Sequence, residues 1–156
     1  MHGRTHRDMS STKFFAIAGM GRKTQGQALV AKDGFSARYD LDRARGVFSR
    51  PEHKLAGESY VGRVLVLDAA KGGVATAWML HEMKARGIVP VALVLNSVNP
   101  IMVQGAAHAD FTMISGFDLD ITQAIPNNRR AHTMSERLIF ARFSKATPRR
   151  SRKSIS

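Results

Sequence analysis

Three short strand-like runs between Arg63 and Ile114, two of them wholly aliphatic, are separated by two helix-period segments and constrain this chain more than any other feature. Val64-Leu65-Val66-Leu67 is apolar at every position, as expected of a strand covered on both faces. Val74 to Arg86 reads as a helix stopped by Gly87. Val91-Ala92-Leu93-Val94-Leu95 repeats the buried-strand pattern. Asn99 then caps a second helix, with Pro100 at its first position, that runs to His108. Phe111-Thr112-Met113-Ile114 supplies a third strand. A strand–helix–strand–helix–strand series with short links predicts parallel pairing, because parallel neighbours need a crossover between them. Extended segments at Lys13–Ala18 and Gln27–Lys32 precede it, so the expected class is α/β with a mixed, partly parallel sheet.

At 156 residues the chain suits one domain with a real core. Residues 1–12 are polar, lack an apolar period and read as a disordered leader. Residues 13–145 make the folded domain, and 146–156 form a Pro-, Ser- and Arg-rich tail expected to be disordered. Residues 33–57 hold few periodic apolars, and a connection that long is expected to be packed or functional. After Asp120 the pattern weakens, with Leu138 to Phe143 as one last strand.

The net charge of +12 is unevenly placed: residues 129–156 carry +8, and residues 14–128 only +2. The domain is therefore nearly neutral. A basic tail admits a second reading, a non-catalytic binding module that contacts nucleic acid or an acidic partner. No aromatics interleave the basic residues of 147–156, which argues against nucleic acid. The chain has no cysteine, so it can form neither a disulfide nor a thiolate-ligated metal cluster. Its six histidines share no ligand spacing on a helix face, and no metal site is expected. No apolar run approaches the ~18 residues of a membrane span, and Phe14 to Met20 lacks a cleavage pattern. A cytoplasmic protein without a membrane partner is expected.

The most informative turn is Asp68-Ala69-Ala70-Lys71-Gly72-Gly73-Val74-Ala75-Thr76. A Gly-rich turn between a buried strand and a helix start gathers free N–H groups and the positive end of the helix dipole, which suits an anion. Lys71 adds a full charge, and Lys71, Gly72 and Gly73 are the expected substrate contacts. The order of Lys and Gly excludes a P-loop. The bland alternative is a tight connection with no ligand. The loop Asn96 to Pro100 ends the next strand, where ligands gather in parallel α/β sheets, so Asn99 is a second candidate contact. Its alternative role is helix capping. Gln104-Gly105-Ala106-Ala107 reads as close helix packing. Trp78, Met79, Leu80 and Met83 lie on more than one helix face, which suggests cover by the sheet and by a partner chain.

The order of Gly21-Arg22-Lys23, Gly26 to Val30, His53 through Gly62, Arg63 to Val66, Lys71-Gly72-Gly73 and Pro90 to Ala107 resembles the aconitase X swivel family. The resemblance spans roughly residues 13–120. It implies a swivelling β/β/α domain like the last domain of aconitase, acting as the small subunit of a hydro-lyase that dehydrates a hydroxy acid. Phosphomevalonate dehydratase and cis-3-hydroxyproline dehydratase are members of the family. The implied partner is a large aconitase X-type subunit that carries the iron–sulfur cluster, over which this chain closes. No cofactor is implied for this chain, and purified alone it is expected to be inactive. One departure matters. Many members carry a Ser, taken as the catalytic base, where this chain has Gly73. Another hydroxyl, Thr76 or Ser59, then does the work, or the substrate differs, or catalysis is lost.

Overall fold

The computed structural model describes residues 9–71, 74–135 and 138–144. Its elements are β1 (Met9–Phe15), β2 (Ala18–Met20), β3 (Thr24–Val30), β4 (Gly34–Phe35), β5 (Leu41–Asp42), β6 (Val47–Phe48), β7 (Val64–Ala70), α1 (Val74–Arg86), β8 (Ala92–Ser97), α2 (Pro100–His108), β9 (Thr112–Ser115), α3 (Ile121–Ala124), β10 (Arg130–Ser135) and β11 (Leu138–Ser144). The main sheet runs β1-β11-β10-β3-β7-β8-β9-β2, with β4 pairing β7 off that path. Strands β3, β7, β8 and β9 are parallel neighbours, and β1, β11, β10 and β2 join antiparallel. The mixed, partly parallel α/β sheet expected from the sequence is therefore the architecture observed.

The unbroken aliphatic runs are buried on both faces, which explains the missing alternation. Leu65, Leu67, Leu93 and Leu95 point to one side. There they pack with Leu80 and Met83 of α1, Met102 and Ala106 of α2, and Phe35, Phe48 and Tyr60 of the 33–60 segment. Val64, Val66, Ala92, Val94 and Ile114 face the other side, against Ala28, Ile121, Ile125 and Ala131. Gly87 ends α1 at φ +76°, and the Ile88 N–H returns to the Met83 carbonyl at 3.2 Å. The two helices approach closely at Gly105, where a Cβ would sit 2.2 Å from that of Ala77. The small-residue stretch is thus a helix contact, as the sequence reading holds.

Two readings need correction. Strand β1 begins at Met9, inside the segment read as a leader, and pairs with β11 from Met9↔Ser144 to Phe15↔Leu138. An end strand is held by backbone bonds, so Ser10-Ser11-Thr12 needs no apolar period. Strand β7 continues to Ala70, two residues into the expected turn, because β4 pairs with it there through Gly34↔Ala69 and Phe35↔Ala70. Strand β10 and the four-residue α3 carry no period that the sequence shows.

The 33–57 segment is packed rather than open. Asp40 (4% exposed) is its hub: Oδ2 accepts the Ser36 N–H at 2.9 Å, and Oδ1 accepts Arg50 Nε at 2.6 Å. His53 is also enclosed, its Nε2 2.8 Å from the Gly34 carbonyl and its Nδ1 accepting the Leu55 N–H at 3.0 Å. That pairing requires the ring proton on Nε2. The ring stacks on Phe48 with centroids 4.6 Å apart.

Candidate active site

Where β7 ends, Lys71 leaves the sheet with its N–H donated to the Phe35 carbonyl at 2.7 Å. Its stem lies over Gly34, at which a Cβ would stand 3.3 Å from Lys71 Cε. The ammonium group has no ion pair among the described residues. Lys71 lines a cavity of about 550 Å³ together with Thr76 of α1, with Ser36, Arg38 and Asp40 from the turn after β4, and with Arg50 just past β6. That size suits a small metabolite. Asp33 also lines it. Burial pushes the Asp33 carboxyl up, but the N–H groups of Lys54 and Gly34, at 3.0 and 2.8 Å, outweigh this and hold it below its ordinary range.

The sequence candidates separate in space. Lys71 and Thr76 share the cavity, and Thr76 is almost fully buried. Ser59 lies elsewhere: it is exposed, bridges Val47 and accepts the Val61 N–H at 3.3 Å. Asn99 caps α2, its Oδ1 accepting the Met102 N–H at 2.9 Å, and it does not line this cavity. Gly72 and Gly73 lie outside the described residues, as does the basic stretch 145–156. The loops at Lys71 and at Asn96 to Pro100 do not share the cavity. Asn96 instead donates to Asp68 at 2.9 Å and Asp120 at 2.8 Å, and its Oδ1 accepts the Ile121 N–H at 2.8 Å. Lys32 stands 2.7 Å from Asp120. With the Thr122 and Asn96 hydrogen bonds, it holds the Asp120 carboxyl well below the usual carboxylate range. This network fastens α3 to the ends of the strands.

Sequence reasoning missed Ser36, Arg38, Asp40 and Arg50. The one hint was an Arg- and Asp-rich segment too long for a plain connection. A second, apolar cavity of about 460 Å³ lies between α1 and α2, bordered by Trp78, His81, Ile101 and His108. Trp78 is 68% exposed there. Among the described residues no group of His, Asp or Glu could hold a metal ion, and no helix is long and apolar enough to cross a membrane.

The parallel core, its antiparallel flanks and a polar cavity at the strand ends define a swivel-type α/β domain. The chain belongs to the aconitase X swivel domain family, whose model matches residues 15–140. The phosphomevalonate dehydratase small subunit of Methanopyrus kandleri is 30% identical over 101 residues, covering 65% of this chain and 75% of that protein. The protein of the same name from Archaeoglobus fulgidus is 27% identical over 118 residues, covering 76% and 89%. The crystal structure of Thermococcus kodakaraensis aconitase X in its holo form superposes with a TM-score of 0.73 at 20% identity, covering 85% of this chain and 98% of that one.

Proposed function

We propose that this chain is the small subunit of an aconitase X-type dehydratase and that the Lys71 cavity is its share of the substrate site. The observation that carries this reading is a Lys71 with no ion pair among the described residues, lining one cavity with a buried Thr76 at the carboxyl end of a central parallel strand. An anionic hydroxy acid there meets Lys71, and the chain closes over the large subunit. The relatives' names make phosphomevalonate the first substrate to assay. A chain without cysteine offers no thiolate ligands, so an iron–sulfur cluster would be held by the large subunit and would supply a Lewis acid for the leaving hydroxyl. Removal of the proton at carbon needs a positioned base. With glycine at residue 73, Thr76 is the better placed of the two hydroxyls singled out from the sequence, since Ser59 does not line the cavity.

Co-expression with a large aconitase X-type chain tests the assignment. The two should co-purify and dehydrate the hydroxy acid together, while this chain alone shows no turnover. Robust turnover by the isolated, metal-free chain contradicts the subunit reading.

A further inference from the structure

We propose that Phe15 and Ile17 form an apolar contact for the large subunit, separate from the cavity between α1 and α2. This rests on the chain being the small subunit of a two-chain dehydratase.

Exposed apolar side chains are not spread evenly over this domain. Single ones scattered on a surface are normal, whereas a set gathered at one end marks an interaction face. Among the described residues, every exposed large hydrophobic side chain except Val61 gathers around the end of the sheet where β7, β8 and β9 finish. Tyr39 borders the Lys71 cavity, and Trp78 and Ile101 sit in the first halves of α1 and α2. Those helices cover one face of the sheet. Leu119 leads into α3, which covers the other face. Ile17 and Phe15 lie beside the end of β9 and are the most open of the set with Tyr39, at 76% and 70% exposed. Val61 alone stands at the opposite end, shortly before β7 begins.

The backbone holds Phe15 and Ile17 from both sides. Strands β1 and β2 lie at opposite ends of the sheet order, yet only Ala16 and Ile17 separate them, so the two ends of the sheet meet here. Phe15 pairs with Leu138, and the Ile17 N–H donates to the Gly116 carbonyl at 2.7 Å. Ala16 between them is buried, which leaves both neighbours facing outward. Ile17 also rests against Gly116, where a Cβ would stand 3.0 Å from its own. An apolar pair held this way is buried by a partner without first being ordered.

The placement selects the partner. Trp78 and Leu119 belong to elements on opposite faces of the sheet, and Ile17 to the edge beside β9. A body that touches all three lies across the strand ends and over the Lys71 cavity, which is where the large subunit sits in the proposed assembly.

The test is the dissociation constant of the two chains, read by fluorescence anisotropy with a large aconitase X-type chain as titrant. Phe15→Ser and Ile17→Ser each remove an exposed side chain, so the isolated chain should keep its wild-type Tm. Each should weaken association about 10-fold or more, whereas Val61→Ser should leave it unchanged. Association unaffected by Phe15→Ser and Ile17→Ser, or weakened as much by Val61→Ser, overturns this contact alone. Light scattering that shows the isolated wild type as a dimer, and both serine variants as monomers, overturns it too, because the occupant is then a second copy. Failure of the wild-type chains to associate at all counts against the subunit reading and takes the contact with it.

Discussion

Tyr60 shows at the scale of one residue how this interior was assembled. Its ring is fully buried, edge-on to Phe48 with centroids 6.1 Å apart. Its hydroxyl is enclosed with no hydrogen-bond partner among the described residues. Burial accordingly pushes the phenol above its ordinary range. An enclosed hydroxyl without a partner costs free energy, whereas a buried ring contributes it. Tyr60→Phe is therefore expected to leave the urea midpoint unchanged or to raise stability by up to about 1 kcal/mol. A loss of more than about 1 kcal/mol would reveal a hydrogen bond on that hydroxyl. Lys71 is the opposite case, a charge with no ion pair among the described residues where a ligand is expected.

Among the elements, the central ones were legible and the marginal ones were not. Helix α1 occupies Val74–Arg86 and α2 occupies Pro100–His108, as the sequence predicts, because apolar period, Asn99 cap and Gly87 stop agree. Strands β4, β5 and β6 have two residues each, too few for any period to show. The half of the cavity carried by the turns around them was invisible for that reason: Ser36 and Arg38 become site residues only because β4 docks on the end of β7. Helix α3 is held at its start by Asp120 and Asn96. Asp120 caps it, accepting the Thr122 N–H at 3.0 Å, and pairs with Lys32. Asp120→Ala should cost about 1 kcal/mol and lower Tm by roughly 2–4 °C. The pH dependence has a definite sign. A carboxyl held low in the folded state binds fewer protons there than when unfolded, so its contribution is complete above about pH 4 and is lost as pH falls toward the folded value. Unfolding followed from pH 5 downward should show a shallower acid decline in Asp120→Ala than in wild type, and identical slopes would contradict the network.

For the whole molecule, a nearly neutral α/β domain presents two dissimilar surfaces, a charged cavity at the strand ends and an apolar groove between α1 and α2. Both touch the start of α1, since Val74 borders the groove and Thr76 the cavity. We propose that the groove, with Trp78 exposed in it, rests on the large subunit. Trp78→Asp should alter the stability of the chain by less than about 0.5 kcal/mol, because the side chain buries little. The same change should reduce co-purification, read as the ratio of the two chains after affinity capture. An unchanged ratio would place the interface elsewhere.

The central claim is that a small dehydratase subunit offers Lys71 to an anionic substrate. Steady-state dehydration by the assembled complex, wild type against Lys71→Met, tests it most directly. The substitution keeps most of the stem over Gly34 and removes the charge, so assembly should persist. A charge-assisted hydrogen bond contributes about 1.5–3 kcal/mol, so kcat/KM should fall roughly 10- to 150-fold. An assembled Lys71→Met complex with wild-type kcat and KM would contradict the account.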